Sequence, residues 1–229
     1  MKYPKINTLW KRDEKDKFNI IVGDYSCEEF ASISKWHITE KIDGTNIRIL
    51  YNGEEPIFYG RTDEAQIPSF LLEYLKKIFT KKLLSKQFPE AKDGILLYGE
   101  GYGNKIQSAG KKYRQDNSFI LFDAKIGGWW LEPDKVKQLA KDLGIDYVPE
   151  LGVVDSIQEA IDYLKERHKS KIAQEELIAE GIVARSHPLM LFRGGSPIMW
   201  KLKVKDYIKL EQGGKGNGNE EREITPCTD

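Results

Sequence analysis

Six charged residues stand where the local pattern favours apolar ones. Lys41 follows the alternating stretch Trp36–Glu40 and opens "KIDG". Glu100 follows "GILLYG", Asp123 follows "FILF" and Glu180 precedes "GIVAR". Lys201 and Lys203 alternate with Leu202 and Val204 in "MWKLKVK". If Trp200, Leu202 and Val204 face a core, the two lysines share the other face. Two like charges on one strand face repel modestly, and such a face suits a bound anion. An amine attacks only once it has lost its proton, and burial or neighbouring cations favour that form. Lysines set beside carboxylates therefore describe phosphoryl or nucleotidyl transfer, where positioning and charge stabilisation do most of the catalysis. Each residue also has a plainer reading as a solvated strand end, and Asp43-Gly44 as an ordinary turn. Spacing by itself does not decide between the two.

The elements that must position these residues are legible. "WHITEK" and "TNIRILY" alternate as strands, with Ile47, Ile49 and Tyr51 on one face. Asn52-Gly53 between apolar runs predicts a hairpin. "DGILLYGEGYG", "SFILFDAKIGGWWL", "EGIVAR" and "PIMWKLKVK" are further short apolar or alternating runs. Three helices are predicted. One starts at Pro68 and runs through "PSFLLEYLKKIFTKKLLSKQF" with Leu71, Leu75, Ile78 and Phe79 at helical spacing. A second lies between Pro133 and Gly144. The third opens on the capping box Ser156/Glu159. The sum is an α+β fold of antiparallel strands with inserted helices. There is no βαβ rhythm, GxGxxG or Walker loop, which disfavours Rossmann and P-loop folds.

The chain has 229 residues with 36 Lys+Arg against 36 Asp+Glu, so a basic surface for nucleic acid must be local. Cys27 and Cys227 are read as free thiols in a reducing compartment, and without a CxxC pair no zinc site is suggested. The N-terminus lacks an apolar signal region and no run approaches a membrane span, so the expectation is a soluble, cytoplasmic protein with no membrane partner. From Glu211 the sequence is rich in Gly, Asn and charge and is expected to be a flexible polar tail.

In this order the residues resemble the covalent nucleotidyltransferases: polynucleotide ligases and mRNA capping enzymes. "KIDG", Lys41 to Gly44, with Asn46 just after it, resembles the family's first motif. "GRTDEAQIP" carries Arg61, "LYGEGYG" Glu100, "LFDAK" Phe122 and Asp123, "EGIVAR" Glu180, and "KLKVKDY" Lys201 and Lys203. Together they cover Lys41 to Tyr207. The resemblance implies an ATP-grasp-like, ligase-type fold of two antiparallel sheets flanked by helices, with the nucleotide between the sheets. Lys41 would attack the α-phosphate of ATP, and the AMP would pass to a 5′-phosphate end that a 3′-hydroxyl then seals. Glu100 would bind the ribose and Phe122 would stack on adenine. Lys201 and Lys203 would contact phosphates. Arg61 would reach the ribose or the 5′-phosphate. Glu180 and Asp123 would lie beside Mg2+ or Mn2+. Glu40 and Ile42 would lend backbone groups to the adenine edge; Asp43 belongs to the motif without a defined role, and Gly44 would give the backbone room to turn.

The tight "EKIDGTN" and "GRTD" contexts resemble the phage and editing RNA ligases, so RNA ligase is favoured over a minimal DNA ligase, with capping guanylyltransferase below both. An inactive module that binds nucleic-acid ends is disfavoured by the complete set of charged residues. A structural domain leaves the placed lysines without a reason. Residues 1–210 are expected to form one nucleotidyltransferase domain, monomeric, with neither an OB-fold nor a helical domain after it. The chain then either acts through this domain alone or is one piece of a longer protein. No motif claims His37, His168 or His187. Trp129-Trp130 is expected to pack a hairpin, with base stacking as the other reading; "KKLLSK" is expected to be an outer helix face, and "GKKYRQDN" a loop, solvated or touching a phosphate backbone.

Overall fold

A computed structural model describes residues 2–15, 19–91 and 94–213. In chain order the strands are β1 Asn7–Thr8, β2 Trp10–Arg12, β3 Ile20–Tyr25, β4 Trp36–Lys41, β5 Thr45–Tyr51, β6 Ile57–Tyr59, β7 Ile95–Gly103, β8 Asn117–Ile126, β9 Trp129–Trp130, β10 Asp146–Tyr147, β11 Glu150–Val154, β12 Gly181–Ser186 and β13 Met199–Lys203. The helices are α1 Ser69–Ile78, α2 Lys81–Gln87, α3 Gly110–Tyr113, α4 Pro133–Leu143, α5 Ile157–Lys165 and α6 Val204–Gly213.

Two sheets dominate. The first runs β1-β13-β12-β4-β11 and the second β10-β8-β7-β5-β6, with β9 on β8. The central pairings are antiparallel, as alternation predicts, while the edge pairs β1·β13 and β10·β8 are parallel. Each sheet buries its outer face in its own core. Behind the first, Trp36, Ile38, Ile182, Ala184, Trp200 and Leu202 pack with Ala160, Ile161 and Leu164 of α5. Behind the second, Ile47, Ile49, Tyr51, Phe119 and Leu121 pack with Leu71 and Leu75 of α1 and Val136, Leu139 and Ala140 of α4. The inner faces line a common cleft, whose apolar floor holds Ile42, Ile120, Tyr113 and Val148 with Phe122 against them.

The long helix predicted from Pro68 is two helices. Thr80 breaks it and caps α2, its Oγ1 accepting a hydrogen bond from the Leu83 N–H at 3.2 Å. Gly144, at φ 68°, ends α4 in the left-handed region, and the Ser156 hydroxyl caps α5 through the Glu159 N–H. Val204 begins α6 rather than extending β13, and α6 runs to Gly213, so residues 211–213 of the expected tail are helical. The rest of that tail and Cys227 lie outside the described residues. Among the described residues no helix is long and apolar enough to cross a membrane.

Candidate active site

The nucleophile candidate is set by strand register. Lys41 of β4, Gly181 of β12 and Lys203 of β13 lie in one row across the first sheet. The next row on the same face is Thr39, Val183 and Lys201, and the one after it His37, Arg185 and Met199. All three lysines therefore project into the cleft, which has a volume of about 930 Å³ and is lined by both sheets. Gly181 leaves the space between Lys41 and Lys203 open. A Cβ there would sit 2.2 Å from the Leu202 carbonyl oxygen, so no other residue fits. Glu180, just before Gly181, fills the gap with charge: its Oε2 lies 2.7 Å from Lys41 Nζ and its Oε1 2.6 Å from Lys203 Nζ.

This packing of charge shows in the titration of the groups. Burial disfavours the Glu180 anion, but the ammonium groups of Lys41 and Lys203 outweigh it and hold the carboxyl below its ordinary range. Among the described residues, no such carboxylate is bonded to Lys201. Burial, and then the cations of Lys41, Lys203 and Arg61, push it down to about 8. Asp43 is pushed up, chiefly by burial and then by Glu180.

The second sheet supplies the opposite wall. Asn46 of β5 faces Glu100 of β7 across one register pair. Burial drives Glu100 up to about 8 against the pull of Lys41. Asn46 Oδ1 is buried without a hydrogen-bond partner, which leaves an acceptor inside the cleft for a hydroxyl or amine of a ligand. Phe122 and Asp123 are consecutive yet both leave the outer core. Tyr98 pairs Asp123 while Gly99 pairs Leu121, so Phe122 is the extra residue of a β-bulge. Alternation with Ile120 places Phe122 in the cleft lining, and the bulge turns Asp123 off the core face beside it before Ala124 returns to the core.

Gly44 is fixed by crowding. Its φ is not positive, and a Cβ would fall 2.3 Å from the Gly101 carbonyl oxygen and 2.7 Å from Glu100 Cγ. The turn after Lys41 is thus pressed against β7. Two residues outside the motifs also hold it, and sequence reasoning missed both. The Tyr113 hydroxyl accepts the Asp43 N–H at 3.3 Å, and Gln107 Nε2 donates to the Gly44 carbonyl at 2.9 Å. "GKKYRQDN", read as a loop, holds the short helix α3 with Tyr113 buried at its end.

Two residues with expected roles have their side chains engaged elsewhere. Asp123 is not placed as a metal carboxylate. It is fully buried, bonded to the Arg185 guanidinium and to the Tyr3 hydroxyl at 2.9 Å, and it joins the two sheets. Glu40 alternates onto the outer face with Trp36 and Ile38. Its carboxylate takes the Ser170 hydroxyl at 2.5 Å and the Lys171 N–H at 2.8 Å, and its own N–H is given to the Pro149 carbonyl. That N–H is therefore not available to an adenine edge. Ile42 lies in the cleft floor, and Arg61 lies on the 60–65 loop at the cleft rim. His37 faces the cleft but is bound to Glu150 at 3.2 Å. Trp130 packs beneath Tyr3 as expected of a hairpin residue, whereas Trp129 is 79% exposed.

Among the described residues no three His, Cys, Asp or Glu side chains converge as a metal cage. Glu180 instead bonds the Lys41 and Lys203 ammonium groups and Lys201 stands one row away, so the preassembled charge of this wall is cationic. Such a site fits a polyphosphate bearing its own counter-ion better than a resident metal.

Comparison with known proteins agrees with this geometry. The RNA ligase family model matches residues 34–202. No curated protein matches the chain. Among solved structures, a mutant Naegleria gruberi RNA ligase with ATP and Mn superposes with a TM-score of 0.61 at 19% identity, covering 91% of this chain and 63% of that one. The same organism's ligase with PPi gives 0.59 at 20% identity, covering 92% and 64%. An archaeal ATP-dependent RNA ligase gives 0.57 at 16% identity, covering 88% and 48%. The likeness establishes a shared fold, and this chain spans between about half and two-thirds of those proteins' length.

Proposed function

This chain belongs to the RNA ligase family, and from that premise we propose that it is an ATP-dependent RNA ligase that works through a covalent AMP on Lys41. The observation that carries the reading is Glu180 bridging Lys41 and Lys203, with Lys201 one row away on the same cleft face. The bridge holds the Lys41 amine at one point, which removes orientational freedom from its attack. Lys201 and Lys203 stand beside it to take up charge on the phosphates.

In the first step the Lys41 nitrogen bonds to the α-phosphorus of ATP, the bond to the bridging oxygen breaks, pyrophosphate leaves and the amine's proton is lost. In the second, a 5′-phosphate oxygen of the RNA attacks that phosphorus and displaces Lys41. In the third, a 3′-hydroxyl attacks the activated 5′-phosphorus, AMP leaves and the strand is sealed. Phe122, in the cleft lining, offers its face to adenine, and Asn46 Oδ1 and Glu100 offer acceptors to hydroxyls. Mg2+ or Mn2+ carried on the phosphates would supply further charge neutralisation, and no step is assigned to it.

The test is joining of 5′-phosphate and 3′-hydroxyl ends with ATP and either cation, on matched RNA and DNA nicks. RNA joining with ATP supports the reading. Joining of DNA alone would move the chain to the DNA ligases, and transfer of GMP from GTP with no joining would make it a capping-type enzyme.

A further inference from the structure

Arg48 belongs to none of the motif elements and occupies a polar position of an alternating strand, where a solvated side chain is expected. It is completely buried. On β5 it stands two residues from Asn46 and so on the cleft face, opposite Tyr98 on one side and Tyr59 on the other. Its guanidinium lies 5.0 Å from the centre of the Tyr59 ring. Nε donates to the Gly60 carbonyl at 2.8 Å and one terminal nitrogen to the Asp63 carboxylate at 2.8 Å. These two contacts flank Arg61 and Thr62, both of which line the cleft rim. The loop makes one further tie of its own, from the Ala65 N–H to the Thr62 carbonyl at 3.3 Å, and Gly60 packs so closely on Ala65 that a Cβ would lie 3.0 Å from it.

We propose that Arg48 is a positioning residue that clamps the 60–65 loop from beneath and so fixes where the Arg61 guanidinium stands over the cleft. The inference rests on the ligase reading for what Arg61 meets, an anionic phosphate or a ribose, but not for the clamp itself. The arrangement is directional. A buried guanidinium without acceptors is costly, so Arg48 holds Gly60 and Asp63 close, and the two residues between them have little freedom. Asp63 is the exposed half of the pair, and bonding to Arg48 keeps its carboxyl below the ordinary range. The clamp therefore persists through neutral pH.

The experiment compares Arg48→Met, Asp63→Ala, Asp63→Asn and Arg61→Ala. Hydrogen exchange of the intact protein reads the clamp, and single-turnover rates of ATP-dependent labelling and of AMP transfer to 5′-phosphate RNA read its consequence. Asp63→Ala, at an exposed position, is expected to fold normally and to raise amide exchange in 60–65 about tenfold. It should also slow the step most sensitive to Arg61→Ala by about tenfold, the scale of a lost charge-assisted hydrogen bond. Asp63→Asn, which keeps an acceptor, should fall between. In the Arg61→Ala background, Arg48→Met and Asp63→Ala should add nothing further to that step. Additive losses there, or unchanged exchange in 60–65, overturn the clamp. If the wild-type protein shows neither labelling nor transfer, the ligase reading fails, and the exchange data alone still decide for or against the clamp.

Discussion

The two walls of the cleft carry similar numbers of charged groups but use them differently. On the first sheet, Lys41 and Lys203 both bond Glu180 and Lys201 bonds no carboxylate among the described residues, so a net positive surface faces the cleft. On the second, the charges are committed to the protein. Asp123 is tied to Arg185 and Tyr3, and Arg48 to Gly60 and Asp63, with Glu100 the one cleft-lining exception among the three. One wall keeps charge for a ligand and the other spends most of it on holding strands and loops. A substitution on the first wall should therefore cost activity, and one on the second should cost stability or geometry.

That division can be broken in four places. The largest effect belongs to Glu180→Ala, which leaves Lys41 and Lys203 unbridged and repelling each other. ATP-dependent labelling should fall by about a thousandfold, on the scale of losing a preorganised charge partner, while the fold persists by circular dichroism. Next, Asp123→Ala strands the Arg185 guanidinium in the interior. Removing one partner of a buried pair costs about 3–5 kcal/mol, so Tm should drop on the order of 10 °C. Labelling measured well below that Tm should be far less affected than in Glu180→Ala. A thousandfold loss for Asp123→Ala in the still-folded protein would erase the distinction between the walls.

Lys201→Met sharpens the contrast further. It removes a cation that the fold disfavours, so thermal stability should rise by about 3 °C while ATP affinity falls about tenfold, as for one lost phosphate contact. A drop in both would place Lys201 in the structural group. The smallest effect is on pH. Below about 8 the Lys201 amine is charged and Glu100 is neutral. As pH rises through 8, Lys201 loses its positive charge and Glu100 gains a negative one, and both changes weaken polyphosphate binding. ATP affinity in equilibrium titrations should fall severalfold from pH 7 to 9, up to the about tenfold per unit that one titrating group allows. Lys201→Met with Glu100→Gln should flatten the profile.

The first wall was the more legible in sequence. Strand alternation places Lys201 and Lys203 on one face, and β4 and β5 fall where "WHITEK" and "TNIRILY" put them. The second wall was less legible because its key features are long-range. The bulge that turns Asp123 off the core face needs the register of β7 against β8. The use of Asp123 as a tie requires Arg185 from the other sheet and Tyr3 from the N-terminus. Arg48 was read as a polar strand position because alternation marks a face without saying that a second sheet covers it. Gly44 was read as a turn residue, yet the neighbouring strand is what demands it. The edge strands β10 and β11, in "DYVPELGVV", carry too few residues of clear pattern to stand out.

The most direct measurement is the intact mass of the protein after incubation with ATP and Mg2+, followed by peptide mapping. The structure predicts a species heavier by one AMP, with the modification on Lys41, absent from Lys41→Ala and reversed by pyrophosphate. No mass gain with ATP, GTP or NAD, or a modification that survives in Lys41→Ala, would contradict the assignment of Lys41 as the nucleophile.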